Sequence, residues 1–157
     1  MQALIRIHRF SRWLLNRRMK ILSRIVDGTI RVLFAARIPA EARIDATAHF
    51  SHNALAVVVT KEAEIGPRCL IGMHVLLGSR WPLKGGPILE EDVVVHAGAK
   101  LIGPIRIGRG SVIGANAVVL GDVPPFSLAV GVPARVKKSG IEIDAYRSGH
   151  QAADAVA

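Results

Sequence analysis

Aromatic side chains are scarce in this sequence. Phe, Trp and Tyr make up 4% of the 157 residues while half of all residues are hydrophobic, so the apolar mass is almost entirely Ile, Val, Leu and Ala. That excludes an ordinary core arranged around a few large rings and suits a narrow, repetitive interior. The single cysteine, Cys69, excludes an intramolecular disulfide and with it a cystine-stabilised secreted scaffold. No apolar run approaches the roughly 20 residues needed to span a bilayer. Arginines interrupt the first 36 residues throughout, so the charged, apolar and cleavage-site order of a signal peptide is lacking as well. The cytoplasm, or the inner surface of a membrane, is the expected location. Length alone gives no reason to divide the chain into two globular domains.

Acidic residues are nearly missing from the first 37 positions, where Asp27 stands alone against nine Arg and Lys. The other 120 residues hold twelve basic and eleven acidic groups, so a nearly neutral body carries a basic arm. Apolar residues recur along the arm at helical separations from Leu4 to Phe34, which predicts one or two amphipathic helices with a break at Asp27-Gly28. Three uses fit: packing on the body or across an oligomer, peripheral contact with anionic lipid through residues 1–37, or binding to nucleic acid. The last is set aside, because no recognition-helix pattern and no basic stripe on the body accompany the charge.

From Ile38 the sequence repeats every six residues: "IPAEAR", "IDATAH", "FSHNAL", then "VTKEAE", "IGPRCL", "IGMHVL", and later "LEEDVV" through "VLGDVP". The first place is aliphatic or Phe, and the fifth is Ala, Cys, Val, Ile or Ser. Six is not a multiple of 3.6, so a helix would scatter the large positions around its axis. A chain that forms a short strand, turns a corner and repeats keeps them in register, three hexads closing one triangular coil. The predicted fold is an all-β solenoid, a parallel β-helix, over 38–138, preceded by the helical arm 1–37 and followed by a tail, 139–157. Cys69 falls in the small inward place. The arm is expected to cover one open end of the prism and the tail after Lys138 the other.

Two interruptions break the period. Three extra residues enter after Phe50, where the next hexad begins at Val59 and not at Ala56, and the bulge so formed starts near His52. Twelve residues separate the hexads at Leu77 and Leu89, and "SRWPLKGGPI", Ser79 to Ile88, projects between them as a loop of the kind that contacts ligands.

The hexads, the histidine-bearing bulge, the projecting loop and "DVPPFSLAVGVPARV", Asp122 to Val136, together resemble the left-handed β-helix acyltransferases of the serine acetyltransferase-like branch. Short members associated with capsule or exopolysaccharide biosynthesis look closer than true serine acetyltransferases, on "RVLFAARIPAEARI" and "SHNALAVVV". The true enzymes have a larger helical N-terminal domain and a second active-site histidine on the loop, where this sequence reads "KGGP", Lys84 to Pro87.

The resemblance implies an acyl-CoA-dependent O-acetyltransferase with acetyl-CoA or another acyl-CoA as co-substrate. It also implies a homotrimer with clefts between adjacent prisms, and His52 as the general base for a hydroxyl of a sugar or exopolysaccharide precursor. Serine or another small alcohol is the alternative acceptor, and a non-catalytic protein organising a biosynthetic complex is the alternative of another class. Imidazole suits the task because it exchanges protons near neutral pH. By the same resemblance the Ala97 N–H lies near the thioester, and Ala115 lines the groove one coil on.

Arg135, Lys137 and Lys138 either meet the phosphates of coenzyme A or form a solvated basic edge. Asn53, His74, Trp81 and His96 are the expected acceptor contacts, each with an ordinary surface role as its alternative. Asn53, Asp45 or a backbone carbonyl would orient His52 in place of the aspartate that the serine enzymes carry where Ser51 stands here. His8 and His150 lie in terminal segments and are not expected to take part. No metal is expected, since the histidines lack a ligand spacing and the cysteine points inward.

Overall fold

A computed structural model describes residues 2–147. The chain opens with two helices, α1 (Gln2–Asn16) and α2 (Lys20–Phe34). There follow β1 (Arg43–Ile44), β2 (His49–Phe50), β3 (Val58–Val59), β4 (Glu64–Ile65), β5 (Leu70–Ile71), β6 (Leu76–Gly78) and β7 (Ile88–Leu89). The chain continues through β8 (Val94–Val95), β9 (Lys100–Ile102), β10 (Arg106–Ile107), β11 (Val112–Ile113), β12 (Val118–Val119), β13 (Ser127–Gly131) and β14 (Ala134–Ser139).

The strands are short because each hexad spends its remaining residues on a corner. They stack into three sheets, β1-β4-β7-β10, β2-β5-β8-β11-β13-β14 and β3-β6-β9-β12, parallel except where β14 turns back on β13. This is the three-sided parallel solenoid that the period predicts. First-place residues stack on first-place residues: Ile65 on Leu89 on Ile107, Ile71 on Val95 on Ile113, and Leu77 on Leu101 on Val119.

All nine of these are buried, as are the fifth-place Ala63, Cys69, Val75, Ala99 and Ala117. Each fully buried large aliphatic contributes about 1.5–3 kcal/mol. The small fifth-place residues leave room for the stack. Cys69 belongs to that packing: its Sγ–H donates to the Glu90 carbonyl at 2.9 Å, and burial pushes the thiol up to about 11. Both interruptions are absorbed without loss of register, so neither disturbs the core.

The arm folds as a hairpin of helices on the first coil, and Leu4, Ile5 and Ile30 join the solenoid core. The expected break at Asp27-Gly28 is not where the chain turns. The reversal comes at Arg17–Met19, with Arg18 in the left-handed region at φ 62°, and Asp27-Gly28 lies inside α2. Asp27 is held there by tertiary contacts that local composition does not reveal. Its carboxylate accepts from the Ser11 hydroxyl at 2.7 Å and the Ala40 N–H at 3.2 Å. No described helix is long and apolar enough to cross a membrane.

His8 sits in this junction, buried, with its Nε2–H donating to the Pro39 carbonyl at 3.1 Å and its Nδ1, among the described residues, without a partner. Burial holds its pKa below the ordinary value, outweighing the Pro39 bond and the Asp27 charge that raise it, while Arg12 acts with burial. As pH falls through about 6.5 the unfolded chain takes up a proton that the folded ring refuses. The stability contributed by neutral His8 is therefore complete above that pH and declines below it. Urea unfolding followed from neutral to mildly acidic pH should show a His8-dependent slope of up to about 1.4 kcal/mol per pH unit. The His8→Leu protein should lack that component, and equal slopes in the two would refute the assignment.

The far end also departs from expectation. The strand that covers the last coil is β14, and residues 140–147 run back along the solenoid. The Ile141 N–H donates to the Phe126 carbonyl at 2.9 Å, and Arg147 reaches Asp92 and the Arg68 carbonyl. Arg68 itself pairs with Asp92 at 2.6 Å, and together with Arg147 it holds that carboxyl below its usual range. His150 lies outside the described residues.

Candidate active site

A triangular solenoid has three edges, and the site residues are sorted by which edge carries them. The edge between the second and third sheets stacks the bulge, the corner 72–75, the corner 96–99 and the corner 114–117. Backbone hydrogen bonds join these layers: His74 N–H to the Leu55 carbonyl at 2.8 Å, Gly98 N–H to Met73 at 2.9 Å, and Asn116 N–H to Ala97 at 3.0 Å. His52, Asn53, His74, His96, Ala97 and Ala115 all lie on this one edge.

The bulge is a tight turn, Ser51–Ala54, in which His52, Asn53 and Ala54 adopt left-handed backbone in succession at φ 50°, 54° and 59°. Left-handed non-glycine residues cost of order 1–3 kcal/mol each, which the surrounding bonds must offset. The Leu55 N–H donates to the His52 carbonyl at 3.1 Å and the Val57 N–H to Ala54 at 2.9 Å. With the backbone so tied, the His52 and Asn53 side chains are thrown outward and are exposed, while Ser51 and Ala54 are buried.

None of the expected orienting groups holds the His52 ring. The Ser51 hydroxyl is buried and, among the described residues, has no partner. Asp45 stands at a different corner, between β1 and β2, where its carboxylate accepts from the Thr47 N–H and hydroxyl at 2.8 and 2.6 Å; those bonds hold its pKa low. Among the described residues no hydrogen bond reaches the His52 ring.

The third place of a hexad leaves its N–H outside the strand ladder. On this edge Met73, Ala97 and Ala115 all do so, and among the described residues none of the three N–H groups donates within the chain. The Ala97 N–H stays open because residue 72 is glycine: a Cβ there would lie 2.6 Å from the Ala97 nitrogen and 2.9 Å from the His96 carbonyl carbon. The sequence reading gives Gly72 no place in the site. The signal was present, a glycine in the second place one coil before the proposed donor.

The remaining predicted residues are distributed elsewhere. Trp81, 92% exposed, and Lys84 are on the loop 79–87, which leaves from the edge between the third and first sheets, so a single chain does not bring them to His52. Arg135, Lys137 and Lys138 are exposed on β14, with Arg135 opposite Val130, which caps Gly114 at the end of the His52 edge. Arg135 also lines a cavity of about 450 Å³ with Leu120, Asp122 and Pro133, beside β14 at the corner that follows β12. Neither that cavity nor one of about 390 Å³ between α1 and the corner 46–50 is lined by a residue of the His52 turn or of the corners stacked on it. Among the described residues no group of three His, Cys, Asp or Glu could hold a metal ion.

Comparison with known proteins bears on this edge. The family model described as bacterial transferase hexapeptide (six repeats) matches residues 86–121. A serine acetyltransferase of Synechococcus elongatus is 38% identical over 146 residues, covering 91% of this chain and 59% of that protein. A solved serine acetyltransferase in complex with CoA superimposes with a TM-score of 0.79 at 32% identity, covering 87% of this chain and 57% of that one. The serine acetyltransferase of Neisseria gonorrhoeae in complex with serine gives 0.81 at 30% identity, covering 86% and 55%. The chain thus spans 55–59% of the length of these relatives. A closer kinship with capsule or exopolysaccharide acetyltransferases finds no support among them.

Proposed function

We propose that this chain, a hexapeptide-repeat, left-handed β-helix acyltransferase of the serine acetyltransferase family, moves an acetyl group from acetyl-CoA to the hydroxyl of a small acceptor, serine foremost. The observation that carries the reading is the edge on which an outward histidine and an open backbone N–H stand two coils apart, about 10 Å at the spacing of hydrogen-bonded strands. His52 takes the proton of the acceptor hydroxyl as its oxygen attacks the thioester carbonyl. The C–S bond then breaks, and the departing thiolate receives the proton from the imidazolium. Negative charge that develops on the carbonyl oxygen is met by the Ala97 N–H, which no bond among the described residues occupies. Ala115 continues the path of the pantetheine arm, and Arg135 stands where it ends.

The cavities of about 450 and 390 Å³ are not lined by the corners of the His52 edge, and among the described residues no hydrogen bond reaches the His52 ring. Both features support a homotrimer in which the face and projecting loop of an adjacent prism close the cleft. Serine as acceptor is supported by the complexes of the relatives with CoA and with serine. A sugar hydroxyl is the second reading, favoured by Trp81, whose exposed indole offers a face to a pyranose ring, and by the lack of histidine in the loop.

Release of the coenzyme A thiol should be followed with serine and with a panel of saccharides as acceptors. Serine is expected to give the higher kcat/KM. Acetyl transfer to a saccharide without transfer to serine would replace the first reading by the second. Binding of neither acetyl-CoA nor CoA would remove the enzyme reading altogether.

A further inference from the structure

The arm carries an apolar surface that the solenoid does not use. With successive residues 100° apart, Ile21, Leu22, Ile25, Val32 and Leu33 of α2 fall within a sector of about 120°, on the far side of the helix from buried Ser23 and Ile30. Their exposures are 77%, 45%, 59%, 82% and 66%, far above what a water-facing helix surface needs. Lys20, Arg24 and Arg31 line one flank of this sector, and Arg17 stands just before it against the Trp13 ring at 5.3 Å.

The electrostatics of the arm are one-sided. Its single carboxylate, Asp27, is turned inward onto Ser11 and Ala40. Among the described residues no carboxylate pairs with Lys20, Arg24 or Arg31.

From these observations we infer that α2 docks on an anionic lipid surface, with its apolar sector in the headgroup–acyl boundary and its cationic flank among the lipid phosphates. The two required ingredients, buried apolar area and a row of cations, are both present on one helix. Arg and Lys stems are long enough to lie along the apolar sector while their charges stay with the headgroups. A second copy docked by the same face would bring two cationic rows to one interface with no carboxylate between them, which disfavours a two-fold pair; a copy that meets this face with a different one is an outcome of the test below. The inference is independent of the acyl-transfer reading, since it uses no residue of the His52 edge.

Flotation of the full chain with vesicles tests it. Binding to phosphatidylcholine–phosphatidylglycerol vesicles should exceed binding to phosphatidylcholine alone by on the order of a hundredfold. Combined Lys20→Gln, Arg24→Gln and Arg31→Gln should lose that preference by a similar factor. Combined Ile21→Gln, Ile25→Gln and Val32→Gln should abolish binding to both vesicles; these side chains face away from the core, and circular dichroism and the unfolding midpoint would verify the fold. No binding of the unaltered chain to the anionic vesicles, or unchanged binding after either set of substitutions, would overturn the inference. So would light scattering in which the apolar substitutions split an assembly of a chain that ignores lipid, since the sector would then belong to a second copy.

Discussion

His52→Ala is expected to lower kcat for acetyl transfer by on the order of 10²- to 10⁴-fold, the usual contribution of a positioned general base. It should change unfolding free energy by no more than about 1 kcal/mol, since the exposed ring is not packed and Ala must take up the same left-handed backbone. The separation of the two effects follows from the bulge. The layers are tied by main-chain bonds, Leu55 to His52 and His74 to Leu55, none of which uses the imidazole. Acetyl-CoA affinity should change little, because the proposed base acts on the acceptor proton. Turnover and denaturant unfolding measured on the same preparation decide the matter: wild-type kcat would rule out His52 as the base, and a collapsed unfolding midpoint would mean that the ring supports the fold.

Gly72→Ala should be costly in both respects. The added methyl would sit 2.6 Å from the Ala97 nitrogen, 2.9 Å from the His96 carbonyl carbon and 3.0 Å from the Ala97 Cα, all of them backbone atoms that cannot swing aside. Relief requires spreading two hydrogen-bonded coils at the corner, at about 1–3 kcal/mol, the range found for overpacked interiors. The same methyl covers the N–H proposed to meet the oxyanion. A displacement of about 1 Å at a reacting centre can cost on the order of 10²-fold in rate. The loss should therefore appear in kcat even at temperatures where the variant is folded. Gly78 provides the control, because a Cβ there meets nothing closer than the flexible Leu76 side chain at 3.4 Å. If Gly72→Ala and Gly78→Ala had equal activity, the Ala97 N–H could not be the donor.

The repeat was legible because one side chain per hexad must reach the axis of a narrow prism, so every first-place residue named from the period stacks where the period puts it. The bulge was legible for the same reason: a phase slip of three cannot be hidden when register is kept on both sides of it. What escaped were features set by contacts between segments. Asp-Gly reads as a helix break by local chemistry, yet Asp27 is bound to Ser11 and Ala40, and the break falls at Arg18 instead. His8 looked like a terminal bystander, and only its bond to Pro39, 31 residues on, reveals a junction residue. β14 escaped because the chain abandons the six-residue phase after Pro124, and an antiparallel return has no counterpart in the repeat. The orienter of His52 could not be read from spacing, since Asp45 and the bulge are on different edges.

Because each layer of the His52 edge is one turn of the same spiral, distance along it comes in whole steps. Adding a full turn between β9 and β10 would leave the spacing from imidazole to Ala97 as it is and move Arg135 one rung further away. The same addition between β6 and β7 would draw base and donor apart. Reach for a longer or shorter donor and alignment of the reacting atoms can thus be altered separately, by where a turn is inserted and without redesigning a single pocket residue.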